Sequence, residues 1–284
     1  MSFRPGFINI RGRLIDLSVP RVMGIINVTP DSFYGKSRYT RDDEIVNAAF
    51  RMMEEGADFI DVGGYSSRPG APDVTPGEER ERVINAVRLI SRELPEIVLS
   101  VDTFRSGIAR EAVLEYGAAI INDISGGEAD QAMFSTVEKL RVPYVIMHMQ
   151  GTPGTMQNNP SYDNVVADIL KWFGERIHRL TSMGVNDIIL DPGIGFGKTA
   201  EHNFLILKNL GDFAVAGLPV MAGVSRKSVI WKTLGIDPGE ALNGTTVLHT
   251  IALLNGASIL RVHDVKEAVE AVKLVERIKN SGIR

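Results

Sequence analysis

From residue 22 onward the chain repeats one pattern: a short β-branched run, a stretch rich in Gly, Pro, Asp and Asn, then a segment with helical period. The runs predict strands at Val22–Asn27, Phe59–Val62, Val98–Asp102, Ala119–Asn122, Tyr144–Met147, Asp187–Leu190, Val220–Ala222 and Ser258–Arg261. The amphipathic segments predict helices over Asp42–Glu55, Gly77–Leu94, Ser106–Tyr116, Asp130–Leu140, Tyr162–Met183, Glu201–Leu210, an interrupted Arg226–Asn255, and Asp264–Ile278. Gly56, Gly117, Gly184 and Gly256 each stand between a predicted helix and the next strand, where a left-handed residue stops a helix.

Strict alternation of strands and helices favours parallel strands joined by crossover helices. An open doubly wound sheet is the rival architecture, but it usually carries one dominant phosphate loop such as GxGxxG. Here polar residues follow nearly every strand instead, as an active site built from all the strand ends of a (β/α)8 barrel requires. We therefore expect an α/β protein made of a single (β/α)8 TIM barrel over residues 1–284, with residues 1–20 as a short lead-in. A length of 284 residues suits one such barrel, and no linker or low-complexity tract divides it.

Composition narrows the partners. A net charge of −4 offers no global field for nucleic acid or an anionic membrane surface, while a small anion can still meet a local cationic pocket. Apolar residues at 44% and charged residues at 23% imply a sizeable core. The absence of cysteine excludes disulfides, thiolate metal sites and a cysteine nucleophile, and fits a reducing cytoplasm. MSFRPGFINIRGRLIDLS has no apolar core of signal-peptide length, and nowhere do about 18 apolar residues run together, so a soluble cytoplasmic protein is expected.

The predicted strands end on Asn27, Gly63–Gly64, Asp102, Asn122, His148, Asp191, Ser225–Lys227 and Arg261–His263. Singly, an Asp or Asn there caps a helix or closes a turn more often than it binds anything. Convergence changes that weighting: Asp102, Asn122 and Asp191 together suit a flat heterocycle with several N–H donors and a carbonyl. Asp191 opens DPGIGFGKT, whose glycines let a ligand approach and whose Phe196 can stack on a ring; the spacing does not match a phosphate P-loop. GVSRKS opens a helix and offers backbone N–H groups to a small anion, with Lys227 and Ser228 in reach. Arg261 and His263, two residues apart, form an expected cationic pair opposite Asn27. His148 stands evenly between structural support and ligand contact. Loops at Val28–Thr40 and Gly63–Pro76 are long and rich in Gly, Pro and Ser, as mobile lids are, with Arg68 at one tip.

MGIINVTPDSF, GADFIDVGGYSSRPGA, SVDTF, IINDISGG, MHMQGTP with NNPSYD, DPGIGFGKT, GVSRKS and ILRVHDV follow one another from residue 23 to 265. In kind and order these blocks resemble the dihydropteroate synthases, a family of pterin-binding barrel enzymes. The resemblance implies condensation of 6-hydroxymethyl-7,8-dihydropterin diphosphate with 4-aminobenzoate, giving 7,8-dihydropteroate and diphosphate in folate biosynthesis. It implies that Asp102, Asn122, Asp191, Lys227, Phe196 and Met147 hold the pterin. Asn27, Arg261 and His263 would hold the diphosphate, with Mg²⁺ at Asn27. Ser66, Ser67, Arg68, Pro69 and Ser228 would receive the aminobenzoate. Asp102, Lys227, Arg261 and Arg68 are the catalytic candidates, acting electrostatically on a carbon–oxygen bond that breaks early. Sulfonamides as competing ligands and a homodimer are further implications. The chain departs from the family pattern in SFYGKSR where SFSDGG is usual, in Tyr65 for a common Glu, and in Ser67 for a common Thr. A methyltransferase acting on methyltetrahydrofolate would share the pterin carboxylates, and a non-catalytic pterin-binding protein would keep only the heterocycle pocket. Neither needs the SRPG, SRKS and RVHDV segments together.

Overall fold

The computed structural model describes residues 6–29, 42–66 and 73–281. Eight parallel strands form one sheet: β3 (Arg21–Asn27), β4 (Phe59–Gly63), β5 (Val98–Asp102), β6 (Ile120–Asp123), β7 (Tyr144–Met147), β8 (Ile188–Asp191), β9 (Met221–Ala222) and β10 (Ile259–Val262). Neighbours in sequence are neighbours in space, and β10 returns to pair with both β3 and β9. A lone parallel bridge between Leu190 and Val220 joins β8 to β9, so the sheet closes on itself as a (β/α)8 barrel.

Helices cover the outside: α1 (Asp42–Glu54), α2 (Pro76–Glu93), α3 (Ser106–Tyr116), α4 (Met133–Leu140), α5 (Val165–Ser182), α6 (Ala200–Lys208), α7 (Ser228–Leu234), α8 (Leu242–Leu254) and α9 (Val265–Asn280). The four glycines expected to end helices all have positive φ, between 71° and 99°. The expected break in Arg226–Asn255 is real, falling between α7 and α8 at a 3-10 turn over Pro238–Glu240. Two helices start later than their periodicity suggests, because polar side chains take their first N–H groups. Asp130 accepts from Ala132 N and Ser106 N, which holds residues 130–132 in a turn. Asn164 accepts from Val166 N and Ala167 N and so starts α5 beyond Tyr162.

The lead-in is an antiparallel hairpin that the alternating pattern did not reveal, β1 (Phe7–Ile10) and β2 (Arg13–Asp16). Its two-residue turn needs positive φ at Arg11 (52°) and Gly12 (82°), the conformation that matches strand twist. Ile8, Ile10 and Leu17 bury against Met23, Phe59, Ile120, Val145, Ile189, Met221 and Ile259, which fill the barrel from its N-terminal end. Asn9 N donates to Asp187 Oδ1 at 2.8 Å and ties the hairpin to the start of β8. The bottom of the barrel is thereby plugged, and polar chemistry is left to the other end. Among the described residues no helix is long and apolar enough to cross a membrane.

His249 on α8 lies in the layer between helices and barrel, 1% exposed, and its Nε2 has no hydrogen-bond partner among the described residues. Burial holds its imidazole down at about pKa 4, against the pull of Asp264. The folded protein thus keeps His249 neutral between about pH 6.5 and 4 while the unfolded chain protonates it, so stability falls on acidification through that window. His249→Met is expected to flatten the stability–pH slope by about 1 kcal/mol per pH unit. Urea midpoints of both proteins at pH 7 and pH 5 check this, and parallel slopes would refute it.

Candidate active site

Register puts the polar residues level with one another. Asn27 pairs with Gly63, Gly63 with Asp102, and Asp102 with Asn122, across β3, β4, β5 and β6. A Cβ at Gly63 would lie 3.3 Å from Asp102 Oδ2, a tight contact that the glycine relieves. Two residues earlier on β4, Asp61 is fully buried and also points into the barrel.

Arg261, from β10, reaches across this layer. Its Nε donates to Asp61 Oδ2 and its Nη2 to Asp102 Oδ2, both at 2.6 Å. Asn122 Nδ2 donates to the same Asp61 oxygen at 2.9 Å. Burial works against the charge on Arg261, but Asp61 and Asp102 outweigh it and hold the guanidinium above its ordinary pKa. Burial pushes the Asp102 carboxyl up to about 7, against the attraction of Arg261. Asp61 Oδ1 is buried without a partner among the described residues. Sequence reasoning passed over Asp61 because it sits inside the run FIDV, where a strand buried on both faces shows no alternation to mark an inward polar residue.

A second cluster rises from β8 and the segment after β9. Asp191 Oδ1 accepts from Gly193 N at 2.8 Å, and burial raises its carboxyl, with Lys227 opposing. Lys227 Nζ donates to Ile194 O at 2.5 Å and lies 4.5 Å above the Phe196 ring, while burial pulls its pKa down to about 8. A Cβ on Gly223 would lie 3.7 Å from Lys227 Nζ and 3.8 Å from Asp191 Oδ2, so that glycine leaves space beside both groups. Met147 is buried at the end of β7, in register with Asp191. Asp102, Asn122, Asp191, Lys227, Phe196 and Met147 thus stand at one end of the barrel.

Of the neighbouring cations in GVSRKS, Arg226 turns to the outside of the strand ends: it adopts φ 53°, its guanidinium grips both oxygens of Asp264 at 2.7 and 2.8 Å, and it donates to Gly239 O. Arg261 and His263 are not a cationic pair. Burial, reinforced by Arg261, pulls His263 down to about 3, so it is a neutral imidazole whose Nδ1 lies 3.0 Å from Ser225 Oγ. Arg261 is bonded to Asp102 itself, so this cation and the heterocycle acceptors form one surface. His148 is largely a support: its carbonyl and Nδ1 take the buried amine of Lys198.

Ser66 is partly buried at the edge of the site, and Ser228 stands at the start of α7. Ser67, Arg68 and Pro69 lie outside the described residues, as do residues 30–40 of the first expected lid. At the base of the second, Tyr65 packs edge-on against Phe104 at 5.0 Å and donates to Asp73 Oδ1 at 3.2 Å. Arg105 lies 4.9 Å from the Phe104 ring and pairs with Glu79, which also accepts from Thr103 Oγ1 at 2.5 Å. Tyr65 therefore has an aromatic partner and a carboxylate acceptor, whereas a Glu in its place would meet Asp73 with like charge.

Residues 23–263 match the pterin binding enzyme family. The chain belongs to that family. The pterin-binding relatives include the dihydropteroate synthase of Escherichia coli (strain K12), 44% identical over 268 residues and covering 94% of each chain. A crystal structure of the Yersinia pestis dihydropteroate synthase with a sulfonamide drug complex superposes with a TM-score of 0.92 at 39% identity, covering 97% of this chain and 100% of that one. The Xanthomonas albilineans enzyme with 4-aminobenzoic acid gives a TM-score of 0.88 at 37% identity, covering 98% of this chain and 100% of that one.

Removing the guanidinium while keeping most of its stem, as Arg261→Met does, leaves Asp61 and Asp102 facing each other without a counter-charge. A loss of about 3–5 kcal/mol of stability is expected at pH 8. The loss should shrink towards pH 5, because a buried carboxylate deprived of its cation takes up a proton more readily. Denaturant unfolding at the two pH values measures this, and an equal loss at both would show that the two carboxylates do not depend on Arg261.

Proposed function

We propose that this protein is a dihydropteroate synthase, joining 6-hydroxymethyl-7,8-dihydropterin diphosphate to 4-aminobenzoate with release of diphosphate. The observation that carries the reading is the linked set Asn122–Asp61–Arg261–Asp102 beside Asp191 and Lys227. It offers carboxylate and amide acceptors to a flat heterocycle, within reach of a guanidinium that meets negative charge. The near-full-length identity to named synthases supports the same reading.

On this proposal Asp102, Asn122 and Asp191 bind the pterin edge, Lys227 meets its carbonyl, and Phe196 and Met147 flank the ring. The bond between the methylene carbon and the diphosphate oxygen breaks, its electron pair leaving with diphosphate. Arg261 stabilises the departing charge, and the carboxylates favour the electron-poor pterin that remains. The aminobenzoate nitrogen then attacks that carbon and gives up a proton. His263, neutral and steadied by Ser225, donates to the leaving oxygens rather than pairing with them as an ion. Ser66, Ser67, Arg68, Pro69 and Ser228 form the proposed aminobenzoate and sulfonamide side.

Mg²⁺ belongs to this reading, and Asn27 fits it. Its amide is a hard oxygen donor in the partly buried layer beside Gly63, and no side-chain partner holds it among the described residues. Mg²⁺ commonly takes one or two protein oxygens together with substrate phosphates and water, and a single amide oxygen is compatible with that. When bound, the ion would supply charge neutralisation at the leaving group. We further read the chain as one domain in a cytoplasmic homodimer. Val247, Ile251 and Leu254 form an exposed apolar stripe on α8, suited to a second copy.

Diphosphate release tests the activity. It is expected to require both substrates and Mg²⁺ and to fall at least a hundredfold in Asp191→Ala, together with a roughly ten- to hundredfold loss of pterin affinity. Release that ignores 4-aminobenzoate, or an Asp191→Ala enzyme with wild-type pterin affinity, would overturn it. Sedimentation of wild type and Val247→Glu tests the dimer, with a dimer expected to become a monomer.

A further inference from the structure

Lys198 is 3% exposed, yet no carboxylate lies within ion-pair distance of it among the described residues. Its amine is held by three neutral acceptors instead: Phe196 O at 2.8 Å, His148 O at 3.2 Å and His148 Nδ1 at 3.1 Å. Those acceptors belong to two different segments, the loop after β8 and the end of β7. Nothing in the proposed chemistry uses this amine directly. A buried amine of this kind is costly to maintain, and its partners show what it does in return.

The loop it holds lies on the β7 segment with no clearance. A Cβ on Gly193 would meet His148 O at 1.9 Å, and one on Gly197 would meet Gln150 O at 2.6 Å. Both glycines have positive φ, so two independent constraints require them. The same loop presents Ile194 O and the Phe196 ring to Lys227, and Gly193 N to Asp191. The position of Lys227 therefore depends on the loop, and the loop is fastened to the barrel through Lys198. We propose that Lys198 is a positioning residue: its amine pins the Gly193–Lys198 loop to β7 and so fixes Lys227 and Asp191 for the ring they bind. This inference rests on the pterin reading of the site.

The surrounding charges agree with that role. Burial lowers Lys198 to about 7, Asp191 pulls it back up, and Lys227 pushes it down. His148 is held down at about 3 by burial, with Lys198 and Arg176 adding, so its ring is neutral and its Nδ1 can accept from a charged Lys198. Trp172, edge-on at 5.2 Å, and Tyr162, tilted at 5.9 Å, fix the His148 ring, and Tyr162 OH donates to Gly197 O at 2.7 Å as a second fastening for the loop.

The test compares the full-length wild type with Lys198→Met, Lys198→Gln, Lys227→Met and the double variant Lys198→Met/Lys227→Met. Amide exchange at Gly195 and Phe196, whose N–H groups are bonded to Asn203 Oδ1 and Gly193 O, needs no ligand. It is expected to be at least tenfold faster in Lys198→Met and intermediate in Lys198→Gln, which keeps a donor. Calorimetry with 6-hydroxymethylpterin should show at least a tenfold loss of affinity in Lys198→Met. KM for the dihydropterin diphosphate should rise in parallel, with kcat changing less than threefold. The double variant should lose less affinity than the product of the two single losses, because one lysine acts through the other. Unchanged exchange and affinity in the folded variants, or losses that simply multiply, would overturn the proposal. Should Lys198→Met not fold, Lys198→Gln decides on the same readouts. A wild-type protein that binds no pterin would sink the pterin reading instead, while the exchange measurement still decides the pin.

Discussion

Arg261 supplies the counter-charge for two carboxylates that the barrel cannot otherwise keep side by side. Asp61 is fully buried, Asp102 is largely so, and both come from neighbouring strands at one end of a closed sheet. Burying two carboxylates side by side without a counter-charge is costly; one guanidinium bridges them at 2.6 Å and joins them into one acceptor surface. The shared oxygen of Asp61 extends that surface to Asn122, so residues on β4, β5, β6 and β10 are set by a single cation. A fork suits the task where an ammonium would not, because its two donors address two carboxylates in fixed directions.

The opposite wall is built by close approach rather than by charge. Glycines at 193 and 197 let the loop after β8 lie directly on the backbone after β7, and that contact determines where Ile194 O and Phe196 stand. Lys227 takes its place from those two groups. Beneath both walls, the N-terminal hairpin plugs the barrel, and its apolar side chains keep water from entering behind the polar layer. The site is thus a polar floor over an apolar stem.

Much of this was legible in the chain, for reasons that particular residues illustrate. Gly117 ends α3 because a left-handed residue must stand there, and a glycine in EYGAA announces it without knowledge of the fold. Asp102, Asn122 and Asp191 stood out because polar residues closing apolar runs have few structural explanations in common. Asp61 did not, since its partner Arg261 lies 200 residues away and only barrel closure brings them together. Arg226 and Lys227 read alike as neighbouring cations; a positive φ at Arg226 sends one to Asp264 and leaves the other for the mouth. His263 looked cationic beside Arg261, whereas burial next to an existing positive charge is what keeps it neutral. The hairpin was missed because FINI and RLID precede the first β/α unit and belong to no repeat of it.

Charge balance at the mouth bears on how the proposed substrate is received. Asp61, Asp102 and Asp191 are matched in number by Arg261, Lys227 and Lys198, and burial brings Asp102 and both lysines towards neutrality. Such a pocket is close to neutral overall, which suits an uncharged pterin ring and gives a diphosphate little net attraction. Arg261 is already engaged by two carboxylates, so it cannot serve a phosphate oxygen fully without loosening its hold on one of them. On the proposed reading, entry of the diphosphate favours a cation brought along with it, and Asn27, which has no side-chain partner among the described residues, would offer it an oxygen. Once the carbon–oxygen bond has broken, negative charge concentrates on the leaving group and the pterin becomes electron-poor. On the proposed reading Arg261 then gains more from the leaving group, while Asp61 and Asp102 gain more from the ring. Interactions that are balanced in the ground state and strengthen as charge separates are the ones that lower a barrier.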